Sequence, residues 1–171
     1  MEREIVNRVA NSKLITINPE DFIPEGERMI IDLKEILHQG MILREADFRS
    51  WAKENDWDKY KNAFVAITCS VDAIIPQWAY MVIASKLSGI AKSICKGNTE
   101  DLEKELFRNE LSKLNPEEFL DKPVVIKGCS DNQIPDESYV WITEKIKPYV
   151  RSIMYGEPCS TVPVYKASKK N

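Results

Sequence analysis

Two stretches of this 171-residue chain repeat one design: an apolar strand, a Cys-Ser loop, an Ile-Pro step and an amphipathic helix. In register on their cysteines, Val65 and Val125, Cys69 and Cys129, and Ser70 and Ser130 coincide. One extra loop residue in the first copy then aligns Asp72 with Asp131, Ile75 with Ile134, Pro76 with Pro135, Tyr80 with Tyr139, Ile83 with Ile142 and Lys86 with Lys145. Because loop residues and helix-packing residues match together, the pattern points to duplication of a whole strand-loop-helix element. Two copies cannot make a solenoid.

The segments 63–68 and 123–127 are apolar runs without polar alternation, the pattern of strands covered on both faces. Pro76 and Pro135 suit the first turn of a helix, where a missing N–H needs no partner. Tyr80, Ile83, Leu87, Ile90 and Ile94 recur at steps of three and four, which predicts a helix from Pro76 to Gly97 with Cys95 on its apolar side. A further helix is expected over 99–114, and a third strand over 152–155 leads to Cys159-Ser160. Before the repeat, 13–17 and 28–32 read as a pair of short strands, Asp32 as a helix cap and 44–55 as a helix.

Strands alternating with helices predict a single α/β domain over residues 1–166, with a mostly parallel sheet and flanking helices. Residues 1–62 form its N-terminal strand-helix addition, residues 63–166 carry the repeated units, and 167–171 form a disordered tail. Parallel pairing gathers the carboxyl ends of the strands on one edge, where open α/β sheets bind ligands. All three Cys-Ser pairs, at Cys69, Cys129 and Cys159, are expected there.

Composition narrows the chemistry. The 24 basic and 27 acidic residues are interspersed, so the chain lacks the electrostatic footprint of a nucleic-acid or anionic-membrane binder. The N-terminus has no signal-peptide pattern, and the most apolar stretch, 73–91, is interrupted by Pro76, Gln77 and Lys86. A cytoplasmic protein that spans no membrane is the expectation. Four cysteines without a Cys-x-x-Cys arrangement are then expected to be reduced, and the single histidine, His38, excludes a histidine-rich metal site.

Three thiolates converging on one edge would suit zinc, iron or an iron-sulfur cluster. Cys69, Cys129 and Cys159 are the expected ligands, with Asp72, Asp131, His38 or an exogenous group completing the set and Ser70, Ser130 and Ser160 beside the cofactor. The two aspartates would equally well bond their own loop backbone. Adjacent strands lie about 4.8 Å apart, so a shared ion requires neighbouring strands. Strand order therefore decides this reading.

Two alternatives stand beside it. One is a non-catalytic interaction protein with structural cysteines and no cofactor, whose signature would be exposed apolar surface at the cysteine edge without clustered sulfurs. The other is a thiol-dependent enzyme, or a small-anion binder at the helix N-termini near Pro76 and Pro135. Neither cysteine loop has the arginine of a phosphatase loop, and no Gly-x-x-x-x-Gly-Lys-Ser/Thr motif occurs. Catalysis and homo-oligomer formation are both left open.

The strings 68–74, 127–131 and 152–163 (TCSVDAI, KGCSD and SIMYGEPCSTVP) resemble a bacterial family catalogued as domain of unknown function number 2480, and the likeness covers nearly the whole chain. The resemblance brings no established activity and no catalytic residues. Genes of that family often lie near iron-sulfur cluster assembly genes, so it implies a role beside such assembly proteins.

Overall fold

A computed structural model describes residues 14–129, 134–157 and 159–168. In chain order the elements are β1 (Ile15–Ile17), β2 (Arg28–Asp32), α1 (Glu45–Glu54), β3 (Phe64–Thr68), α2 (Gln77–Leu87), β4 (Ser93–Lys96), α3 (Thr99–Ser112), β5 (Pro123–Ile126), α4 (Ser138–Ile146), β6 (Ser152–Glu157) and β7 (Ser160–Lys166). The fold is α/β with parallel-dominated sheets and flanking helices, as the alternation of elements requires. The chain divides into two compact units, one of residues 24–106 and one of residues 1–23 with 107–171.

In the first unit a three-stranded parallel sheet runs in the order β2-β3-β4. Successive side chains of a strand point to opposite faces. Val65 and Ile67 accordingly pack with Phe48 and Ala52 of α1 and Ala79, Ile83 and Leu87 of α2. Phe64 and Ala66 pack the other way, with Cys95, Leu102 and Leu106. This two-sided burial is why β3 carries an unbroken apolar run.

The second unit has the sheet order β1-β5-β6-β7, parallel except for β7, which returns antiparallel to β6. Its core joins Ile17, Phe22, Phe107, Leu111, Phe119, Val124, Ile126, Ile142, Ile146 and Ile153. The two short strands expected as a pair belong to different sheets: β1 pairs with β5, and β2 with β3; Lys13 lies outside the described residues.

Helix α2 is shorter than its periodicity predicts. It ends at Leu87, and Gly89, at φ 79°, takes the left-handed conformation that stops a helix. Ile90 and Ala91 both donate to the Leu87 carbonyl, and Ser93–Lys96 becomes strand β4. Ile94 and Cys95 then fall on opposite faces of the sheet, so the apolar residues read as a helical stripe serve a strand instead. Short apolar runs support either periodicity.

The repeat is more regular in space than in its cysteine-based alignment. Val65 pairs with Ile94, and Val124 with Ile153, 59 positions further on. The same spacing relates two left-handed residues, Asn62 at φ 61° and Asp121 at φ 56°. Their N–H groups donate to equivalent carbonyls, Ile90 at 2.9 Å and Tyr149 at 2.8 Å. It also relates the buried helix positions Ala79 and Ser138, Ile83 and Ile142, and Leu87 and Ile146. No extra loop residue is needed, so Cys69 corresponds to Gly128, and Cys129 to Ser70. The copies extend further back as well. β1 and β2 each end in an Asx-capped 3-10 turn, where Asn18 accepts from the Glu20 N–H and Asp32 from the Lys34 N–H.

The last strand was not foreseen. β6 runs through to Glu157, which pairs with Ser160 of β7, so Cys159 lies in a hairpin turn and not beyond a terminal strand. Ala167, expected as the start of a free tail, donates its N–H to the Arg151 carbonyl at 2.9 Å. Residues 169–171 of that tail lie outside the described residues.

Candidate functional site

In the first unit the loops leaving β2 and β3 form the carboxyl edge of the sheet. Cys69 is half-buried, its Sγ 3.5 Å from the Val71 carbonyl oxygen. Ser70 donates its N–H to Asp32 Oδ1 at 3.0 Å, which fastens the two loops together. Asp32 also accepts from the Lys34 N–H at 3.0 Å and pairs with Lys34 Nζ at 3.5 Å. Burial pushes its carboxyl up. The hydrogen bonds from Ser70 and Lys34, with the Lys34 charge, outweigh that and hold it below its ordinary value. Asp72 is exposed.

Strand β4 contributes Lys96, whose Nζ lies 3.2 Å from Gln77 Oε1 and 4.5 Å over the Tyr80 ring. Burial raises the Tyr80 phenol, and the nearby Cys69 raises it further. The sequence does not single out Lys96, because the apolar periodicity continues a helix through 93–96, and Gln77 stands in it only as a polar residue of an apolar stretch. Asp32 was seen only as a cap, although the end of a parallel strand is where functional side chains collect.

In the second unit Cys129 and Cys159 are both exposed. They lie three and four residues beyond Ile126 and Tyr155, the last registered pair of β5 and β6. Tyr155 packs on Gly128, its hydroxyl 3.4 Å from the Gly128 carbonyl oxygen, and a Cβ at Gly128 would come within 2.8 Å of the ring. Tyr139 and Tyr155 meet edge to face at 5.5 Å. Burial raises the Tyr139 phenol, and Tyr155, Cys129 and Asp136 add to the shift. Ser160 is exposed at the start of β7, while Ser130 and Asp131 lie outside the described residues.

The three thiols thus do not follow neighbouring strands of one sheet. Cys69 follows β3 in the first unit's sheet, and Cys129 and Cys159 belong to the second. The common edge expected for all three is corrected by this pairing. Among the described residues no group of three or more His, Cys, Asp and Glu side chains could hold a metal ion. His38 Nε2 is in hydrogen-bond contact with Arg44. Cys95 is buried, and burial together with Glu105 and Asp101 pushes its thiol up to about 12. Its thiolate is therefore scarce at neutral pH.

The order β2-β3-β4 follows the sequence, and α1 and α2 pack on one face. Among the described residues the strand order of this sheet does not reverse, and a reversal is where open α/β sheets hold small ligands. Its carboxyl edge instead carries apolar side chains. Met41, Ile42, Val71 and Ile74 are exposed there, Ile74 at 91% and Ile42 at 59%. An isolated parallel bridge joins Ile42 to Ile74.

A family described as proteins of unknown function (DUF2480) matches residues 3–167. No curated protein and no solved structure matches the chain. Among the described residues no helix is long and apolar enough to cross a membrane.

Proposed function

The chain belongs to the DUF2480 family of proteins of unknown function, and we propose that it is a non-catalytic interaction protein whose partner meets the loops leaving β2 and β3. One observation carries this reading: a loop-to-loop bridge joins Ile42 and Ile74, and both side chains are exposed, as are Met41 and Val71 on the same two loops. Isolated exposed apolar residues need no explanation, but two large exposed apolar side chains held side by side by a backbone bridge suit a contact surface. Fully burying one such side chain contributes about 1.5–3 kcal/mol. Iron-sulfur assembly proteins are the first partners to try, on the family's gene association. Free cysteines throughout suit a reducing cytoplasm.

A photo-crosslinking residue placed at Ile42 should capture a discrete partner in cells, and Ile74→Asp should lower the yield about tenfold. The substitution should leave the thermal midpoint unchanged, because Ile74 is 91% exposed. An adduct pattern indifferent to Ile74→Asp overturns the reading.

A second reading, metal or iron-sulfur handling, is supported by one arrangement: Cys129 and Cys159 are exposed just past the ends of adjacent strands. Two thiolates would leave coordination positions for ligands from another protein, as transfer of zinc, iron or a cluster requires. Anaerobically reconstituted protein should then bind metal in the Cys69→Ser form and lose it in the Cys129→Ser and Cys159→Ser forms. Protein that remains metal-free after reconstitution excludes this reading.

A further inference from the structure

A cleft of about 200 Å3 opens in the second unit between the last turns of α3 and α4. Its apolar lining is Leu111, which is buried, and the half-buried Trp141. The Arg108 guanidinium stacks over the Trp141 indole at 5.0 Å. Among the described residues Arg108 has no ion-pair partner, and stacking leaves the N–H groups at the guanidinium edge free to donate. Lys145 Nζ donates to the Ser112 carbonyl oxygen at 2.8 Å. That bond satisfies the end of α3 and uses one of the three ammonium donors. Glu144 is the acidic residue of the lining, so the two cations leave a local excess of one positive charge. This lies in a chain of net charge −3.

At the spacing of 59, Trp141, Glu144 and Lys145 correspond to Val82, Ser85 and Lys86 on α2. The lysine is common to both copies, and the indole and the carboxylate belong to this copy alone. Trp141 borders the core, where its indole packs on Phe107 at 6.1 Å, while the fully buried face of α4 is made by Ser138, Ile142 and Ile146.

The geometry points to a binding site for a carboxylate attached to an apolar group, the carboxylate between Arg108 and Lys145 and the apolar part on Trp141 and Leu111. Arginine binds carboxylates through paired, charge-assisted hydrogen bonds. The volume suits one side chain and its carboxylate, below the several hundred Å3 of a site for a larger organic ligand. A free small acid and the C-terminal residue of a peptide share this chemistry.

Nitrogen-labelled protein titrated with N-acetyl-leucine, followed by the Trp141 indole resonance, tests the site. N-acetyl-leucine should shift that resonance, and N-acetyl-leucinamide should bind about tenfold more weakly, as should N-acetyl-leucine to Arg108→Gln. A longer peptide ending in leucine with a free carboxylate separates the sources: tighter binding than the small acid assigns the site to peptide termini, and equal binding to small acids. Equal binding of the acid and the amide, or binding unchanged in Arg108→Gln, overturns the assignment. The site lies in residues 107–171, apart from Ile42 and Ile74, so its failure leaves the proposed interaction surface untouched.

Discussion

Phe48→Ala is expected to lower the unfolding free energy by about 3–5 kcal/mol, measured by urea denaturation. Phe48 is fully buried in α1. Its ring meets Trp78 of α2 edge to face at 5.3 Å and lies 5.5 Å from Trp51. Trp51 in turn packs on Trp57, whose indole N–H donates to the Ala52 carbonyl at 2.9 Å. Removing the ring opens a cavity that these large, mutually braced side chains cannot collapse to fill, so both the transfer and the cavity costs are paid. The near-ultraviolet circular dichroism of the three tryptophans should weaken as their fixed contacts loosen. A loss below about 1.5 kcal/mol with an unchanged tryptophan spectrum would show that the site relaxes, contrary to this packing. For a domain stable by about 5–15 kcal/mol, the expected loss is a large fraction of the whole.

Much of the fold was legible because local rules and global packing agree in it. The strand Arg28–Asp32 was read to the residue, since its flanking turn residues and apolar content leave no competing register. The cap at Asp32 is equally legible, because an Asp directly before a turn of helix can accept its free N–H. β3 and β5 were visible as unbroken apolar runs, and the buried states of Val65, Ala66, Val124 and Val125 are the reason. β4 was hidden because Ile90 and Ile94 continue the period of α2, and only Gly89 signals the stop. A lone glycine inside a helical period is often tolerated, so it is a weak stop signal. β7 was hidden by Pro163, which argues against a strand unless it lies at an edge, and β7 is an edge.

The candidate site was less legible, for a different reason. A dipeptide such as Cys-Ser marks a loop but carries no information about which strands will be neighbours. Aligning on it shifted the two copies by one position, because Cys69 and Cys129 are not equivalent in space while Pro76 and Pro135 are. The backbone register of β3 with β4 and of β5 with β6 exposes the shift. What the thiols do share is proximity to equivalent tyrosines, Cys69 to Tyr80 and Cys129 to Tyr139. Strand order, a long-range property, was the deciding unknown, and it divides the three exposed or half-buried thiols between two sheets.

Cys95 is expected to make the protein lose stability in alkali. Its thiol is held at about 12, against an ordinary value of 9.0, first by burial and then by the hydrogen bond to Glu105 and the carboxylate charges of Glu105 and Asp101. Between these two values the unfolded chain has released the thiol proton and the native protein keeps it. The native state then binds more protons than the unfolded state, so stability falls as pH rises, by up to about 1.4 kcal/mol per unit for one group. Below pH 9 both states are protonated and the contribution is constant. Tyr80 and Tyr139, whose phenols are also raised, add a slope of the same sign, so the quantity to measure is the difference between the natural protein and Cys95→Ala. At neutral pH the substitution should cost stability through lost packing against Phe64, Ala66, Leu102 and Leu106. From pH 9 upward that gap should narrow and then reverse, because alanine has no proton to lose. Urea midpoints that fall in parallel for the two proteins from pH 8 to 11 would mean that Cys95 ionises in the native state as readily as in the unfolded chain.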